Sequence, residues 1–251
     1  MKNRYFIRLS YKGTAYHGWQ IQSNAPTVQE ILNRDLSLLL REEINVMGCG
    51  RTDTGVHARV FYAHFDTDRD KLGGDRDFLF KINGKLPRDI SVHEFLHVRP
   101  EAHARYDAIS RTYEYHILRK KDAFQRDLAH FIHGELDTVA MQEGADIIRE
   151  YTDFTSFSKV DTDVKTNDCR ISEACWEVTE SKMDFRITAD RFLRNMVRAI
   201  VGTLLDVGFQ KTSLDEFRQI IESRNRSNAG TSAPAKGLFL TDVKYPGEIF
   251  Q

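Results

Sequence analysis

The chain has 251 residues, of which 41% are hydrophobic and 29% charged, a balance that supports a packed core and excludes a disordered chain. Its formal net charge of -1 excludes a globally basic nucleic-acid binder, so any RNA contact must gather basic residues on one face. The length fits one large domain or two small ones.

Tyr5 to Tyr11 alternates Tyr5, Ile7, Leu9 and Tyr11 against Phe6, Arg8 and Ser10, a period of two that predicts a strand. Gly13 and Gly18 mark a loop, and Thr27 with Glu30 forms a capping-box pattern. Val28, Ile31, Leu32, Leu36 and Leu39 then supply the buried face of a helix. A short strand over Ile44–Met47, a strand over Val60–Phe65, a helix carrying Phe78, Leu79, Ile82 and Leu86, and a strand over Ile90–Val98 complete the first half. Further on, strands are predicted over Thr112–Leu118, Arg170–Val178, Met183–Thr188 and Leu238–Tyr245. Helices are predicted over Val139–Ile148, after Asp190 and after Ser213. The order strand, helix, strand, strand, helix, strand is the split β-α-β pattern. The expected fold is therefore α+β, with two ferredoxin-like halves sharing a mainly antiparallel sheet with helices on one side. The halves are expected over residues 1–105 and 106–251, with an active-site cleft between them.

The most informative run is G-C-G-R-T-D-T-G-V-H-A at Gly48 to Ala58. One acid, Asp53, stands between Arg51 and Gly55, with Thr52 and Thr54 able to bond the local backbone. A sharp polar turn with an adjacent guanidinium presents an ionised carboxylate; the same D-T-G also suits a plain turn. In D-R-F-L-R-N-M-V-R, placed on one helix, Arg191, Arg194 and Arg198 fall on a single stripe opposite Leu193, Met196, Val197, Ile200 and Leu204. That stripe reads either as a solvated basic face or as a carboxylate or phosphate site. Gly202, near the arginine side, admits another backbone or a ligand. Arg111, Tyr113, Tyr115 and Arg119 share one strand, and the two tyrosines share a face suited to stacking on a nucleobase or to core packing. Asp153, Phe154 and Phe157 look like a cap with two buried rings.

The three cysteines, Cys49, Cys169 and Cys175, are odd in number with no C-x-x-C pair, as in a reduced cytoplasmic protein. His93 and His97 share a strand face at a spacing that does not converge on one ion. No cofactor or metal motif is found. No segment is apolar enough for a membrane, and the N-terminus lacks a signal-peptide core.

Together these motifs resemble the TruA-type tRNA pseudouridine synthase family over nearly the whole length. The blocks are Y-K-G-T-A-Y-H-G-W-Q-I-Q (Tyr11 to Gln22), T-V-Q-E (Thr27 to Glu30), G-R-T-D-T-G-V-H-A (Gly50 to Ala58) and N-G-K-L-P (Asn83 to Pro87). R-T-Y-E-Y (Arg111 to Tyr115), D-F-T-S-F (Asp153 to Phe157), F-L-R-N-M-V-R-A-I-V-G (Phe192 to Gly202) and K-G-L-F-L (Lys236 to Leu240) follow in order. The resemblance implies an isomerase that converts uridine to pseudouridine in the anticodon arm of tRNA, at positions 38 to 40, as a homodimer without cofactor. It implies Asp53 as the nucleophile, Arg51 as a group positioning the flipped nucleotide and Tyr113 as the ring packed on the target uracil. Arg198 matches the arginine paired with the aspartate, and Leu238 an apolar contact in the wall. Arg191, Arg194 and Arg111 are candidate RNA contacts. Lys12 stands where the family usually has aspartate, which questions a loop contact rather than the chemistry. Two other readings compete: a non-catalytic RNA-binding module, and a dimeric D-T-G aspartic protease. The protease is disfavoured because Arg51 opposes the protonated partner that a shared dyad requires.

Overall fold

The computed structural model describes residues 2–159 and 165–251. The chain divides into two compact units, Met1–Ile109 with Leu240–Gln251, and Ser110–Phe239. The architecture is mixed α+β, with mostly antiparallel strand pairing.

The first unit contains β1 (Asn3–Tyr11), α1 (Val28–Leu40), β2 (Met47–Gly48), β3 (His57–Thr67), α2 (Arg76–Lys85) and β4 (Ile90–Val98). β1 lies between β3 and β4, and β2 also pairs with β3, all antiparallel. α1 starts where Thr27 accepts a hydrogen bond from the Glu30 N–H, satisfying one of the donors that a helix start leaves open. Its Val28, Leu32 and Leu36 are buried, as are Ile7, Leu9, Phe61 and Phe65 of the sheet and Phe78 and Ile82 of α2.

Two expectations fail here for local reasons. The segment predicted as a strand over Ile44–Met47 is strand only at its end, because α1 side chains take its backbone donors. Ser37 Oγ accepts from Ile44 N at 2.9 Å and Asn33 Oδ1 from Val46 N at 2.8 Å. His93 and His97 do not share a face. The β1–β4 register shifts between Arg8 and Leu9, and the extra residue turns His93 toward Ser10 Oγ (2.7 Å) while His97 lies against the Tyr5 ring.

The second unit contains β5 (Ser110–Leu118), β6 (His130–Phe131), α3 (Thr138–Ile148), β7 (Ile171–Val178), β8 (Lys182–Ala189), α4 (Met196–Gly208) and α5 (Leu214–Glu222). β8 lies between β5 and β7, antiparallel to both. Tyr115, Ile117, Met183, Phe185 and Ile187 are among the buried sheet residues, and Met141, Ile148, Ile200, Leu204 and Phe217 among the buried helix residues. Phe154 and Phe157 are both fully buried beside Asp153, whose Oδ1 accepts from Thr155 N. The last strand, β9 (Leu238–Lys244), begins in the second unit and ends in the first. Among the described residues no helix is long and apolar enough to cross a membrane, and all three cysteines are free thiols.

Asn83 ties α2 to the outer edge of β4. Its amide donates to Leu79 O and Val92 O at 3.0 and 2.8 Å and accepts from Val92 N at 2.9 Å. Replacing Asn83 by alanine leaves the Val92 groups without these partners. Urea unfolding of Asn83→Ala is expected to show a loss of about 2 kcal/mol.

His64 on β3 is 7% exposed, and its Nδ1 accepts from Ala104 N at 3.1 Å. Burial, reinforced by His103 and the Arg4 guanidinium, pushes its pKa down to about 4 from 6.5. Between these two values the unfolded chain binds the proton and the folded chain does not. Stability is therefore complete above the unfolded value and falls as pH drops toward the folded one. From about pH 7.5 to about pH 5 this group costs roughly 2 kcal/mol. His64→Asn, which keeps an acceptor but does not titrate, is expected to flatten that part of the pH–stability curve.

Candidate active site

Asp53 lies in the turn between β2 and β3, half-buried, with Arg51 exposed beside it. The turn is fixed by the segment that follows β1. Trp19 N donates to Thr52 O at 3.2 Å, and Gly55 N donates to Tyr16 O at 3.3 Å. The Tyr11 and Thr52 hydroxyls are 2.8 Å apart, and Gly13 N donates to His57 Nδ1 at 2.9 Å. Within the turn, Val56 N donates to Asp53 O at 3.1 Å.

These contacts need a close approach of two backbones. A Cβ on Gly13 would sit 2.0 Å from Val56 O, and one on Gly18 2.3 Å from Thr52 O. Gly18 also has φ +87°, which a side chain disfavours. The segment is anchored in turn to the sheet and to α1. The Trp19 ring stacks on Phe61 of β3 at 4.1 Å, and Gly18 O and Trp19 O accept from the first turn of α1 at Val28 N and Gln29 N. Tyr16 donates its hydroxyl to Asp89 Oδ1 at 2.5 Å, and burial and that carboxylate hold its pKa well above the usual phenol range. The Y-K-G-T-A-Y-H-G-W and G-R-T-D-T-G-V-H-A blocks are therefore two halves of one construction.

The second unit holds the other candidate residues. The predicted helix after Asp190 starts only at Met196, so Arg191 and Arg194 are not on it and the three-arginine stripe does not exist. Asp190 Oδ1 accepts from both Arg170 N and Arg191 N, Arg194 O accepts from Lys159 N, and Asn195 adopts φ 66°. Those bonds and that left-handed residue hold 190–195 as a turn. Only Arg198 stands in α4; its Nε donates to Ala233 O at 2.7 Å, and its own carbonyl accepts from Ala233 N at 2.9 Å. Gly202 admits another backbone, as expected. A Cβ there would sit 1.8 Å from Thr231 O.

Tyr113 is half-buried and meets Phe192 edge-on at 5.1 Å, and Arg111 Nη1 donates to Asp190 O at 2.8 Å. Both thus touch the 190–195 turn. Tyr115 takes the core role instead, fully buried, with its hydroxyl donating to Pro234 O at 2.8 Å. Leu238 is buried, one residue after Gly237, which packs against the Tyr115 ring. Sequence reasoning missed Tyr16, His57 and Asp89 in the first unit and the 229–234 segment in the second. Tyr16 and His57 lie inside the motif blocks, but their roles, like those of Asp89 and the 229–234 segment, depend on partners distant in sequence. Among the described residues no cluster of three or more metal-ligating side chains occurs.

A carboxylate on a turn pinned from both sides is preorganised for attack, because its carrier does not have to be ordered during the reaction. Residues 151–246 match a family profile described as tRNA pseudouridine synthase. The chain is 54% identical to tRNA pseudouridine synthase A of Bacteroides fragilis, over 99% of this chain and 98% of that one. It is 51% identical to the protein of the same name from Parabacteroides distasonis, over 98% of each. With that of Porphyromonas gingivalis it shares 50% identity, over 98% of this chain and 99% of the relative. Likeness of this degree across both units places the chain in the tRNA pseudouridine synthase A family of isomerases.

Proposed function

We propose that the protein isomerises uridine to pseudouridine in the anticodon stem-loop of tRNA, at positions 38 to 40, with Asp53 as nucleophile. The observation that carries this reading is the fixation of the Asp53 turn by Tyr11, Gly13, Tyr16 and Trp19. The C1′–N1 bond breaks, the detached uracil turns, and C5 bonds to C1′. C5 releases a proton and N1 gains one, so atoms and charge balance. The target base leaves its stack first, at a cost of a few kcal/mol, and Arg51 positions the flipped nucleotide. Tyr113 packs on the uracil ring, Leu238 supplies an apolar wall, and Arg198 provides the positive charge that pairs with the nucleophile. Arg111, Arg191 and Arg194 meet the RNA backbone from the turn that follows β8.

The same reading takes each unit as a split β-α-β half, residues 1–105 and 106–251 in the sequence-based division. The first unit's order, with β1 between β3 and β4 and β2 paired to β3, supports this. It also takes the protein as a cytoplasmic homodimer working without a cofactor.

Asp53→Asn keeps the shape of the turn and removes the nucleophile. Release of tritium from 5-tritiated uridine in tRNA is expected to fall by at least about three orders of magnitude, while tRNA affinity in a filter-binding assay changes less than about threefold. Turnover near the wild-type rate would refute the assignment. Loss of binding together with turnover would instead favour a structural role for the residue.

A further inference from the structure

We propose that Arg226 and Tyr115 are positioning residues that aim the Arg198 guanidinium through the 229–234 segment. The inference rests on the catalytic reading of Arg198 given above.

This segment, A-G-T-S-A-P, is rich in small residues and belongs to no helix or strand. It is nonetheless bonded at almost every position. Arg226 Nη1 donates to Ala229 O at 3.3 Å and Gly230 O at 3.2 Å, and its Nη2 donates to Ser232 Oγ at 2.9 Å. Thr203 Oγ1 accepts from Gly230 N at 3.0 Å, and Asn195 Nδ2 donates to Ser232 Oγ at 2.6 Å. Ala233 exchanges two bonds with Arg198, one of them to its side-chain Nε. Pro234 O accepts the Tyr115 hydroxyl at 2.8 Å. The close passage of Thr231 over Gly202 brings the segment down onto α4.

The consequence for Arg198 is geometric. A guanidinium is planar, so a bond at Nε sets its plane and hence the direction of both Nη groups. The acceptor of that bond, Ala233 O, is a main-chain atom with no conformational freedom beyond that of the segment. Arg226 holds the segment from its N-terminal side and Tyr115 from its C-terminal side, one residue beyond Ala233. Burial keeps the Tyr115 phenol protonated, so it is a donor at all physiological pH values. Neither residue needs to touch the substrate to affect the reaction. A misplacement of about 1 Å at a catalytic group is enough to cost on the order of a hundredfold in rate.

The test is a pair of double-mutant cycles, read as single-turnover rate on 5-tritiated tRNA and separately as tRNA affinity. Arg226→Lys keeps the charge but loses the fork, and Tyr115→Phe keeps the core volume and loses only the hydroxyl. Each is expected to lower the rate by on the order of tenfold with tRNA affinity changed less than about threefold. In an Arg198→Ala background, where there is no guanidinium to aim, the same substitutions are expected to cost less than about twofold. If the losses instead multiply in full with that of Arg198→Ala, or if both single variants turn over at the wild-type rate, the inference is overturned while the role of Arg198 stands. If Arg198→Ala itself leaves the rate unchanged, the catalytic reading of Arg198 fails, and this inference fails with it. Should Arg226→Lys be too unstable to assay, Tyr115→Phe decides the question alone.

Discussion

The bond from Trp19 N to Thr52 O is the constraint on which the first unit's site depends. It joins a loop after the first strand to the turn that carries Asp53, and it forms only because Gly18 brings no Cβ to the contact. A single net hydrogen bond contributes about 1 kcal/mol, too little to order a polar turn whose every residue loses about 1–2 kcal/mol of backbone entropy. The offset comes from the ring next to it. Trp19 is 2% exposed, stacked on Phe61 and adjacent to Tyr11. The hydrophobic effect therefore fixes the loop, and the loop's backbone polar groups then fix the turn. Stability and preorganisation come from the same residues, so a substitution in this aromatic group acts on both.

How much of this was legible follows from the range of each interaction. The helices over Thr138–Ile148 and Leu214–Glu222 were readable because burial sets their periods, whereas the strand over Ile90–Val98 was readable in extent but not in the extra residue that breaks its alternation. The Thr27 cap was readable because donor and acceptor are three residues apart. The helix start at Met196 was not. The apolar period continues backward through Leu193, so pattern alone extends the helix to Asp190. Asp190 and Asn195 decide otherwise, the first by accepting two backbone N–H groups and the second by entering left-handed space, both habits of these side chains. Likewise, nothing local distinguishes Ile44–Val46 from a strand, because the side chains that take its donors stand on α1.

The site residues divide in the same way. Asp53, Arg51, Tyr113, Arg198 and Leu238, the residues proposed for the site, are visible in short motifs because their side chains are what the motifs display. Much of what holds them in place is main-chain atoms, such as Thr52 O, Tyr16 O and Ala233 O, which have no sequence signature. Gly13 and Gly18 were marked as loop glycines, but the surfaces they accommodate, Val56 O and Thr52 O, could only be found in three dimensions.

The arginines of the second unit sort by what accepts from them. Arg186 and Arg218 face carboxylates, from Glu114 and Glu173 in one case and Glu150 in the other, and each such pair largely cancels its own charge. Arg111, Arg198 and Arg226 each donate to main-chain carbonyls, of Asp190, Ala233 and Ala229 with Gly230. A carbonyl orients a guanidinium and adds no full negative charge of its own. All three lie on or against two stretches, 190–198 and 229–234. A chain with a net charge of -1 can thus hold several oriented guanidinium groups close to two short stretches of its second unit. Such clustering matters more than net charge for any phosphate contact, because the attraction acts over a Debye length of about 8 Å and not over the whole molecule.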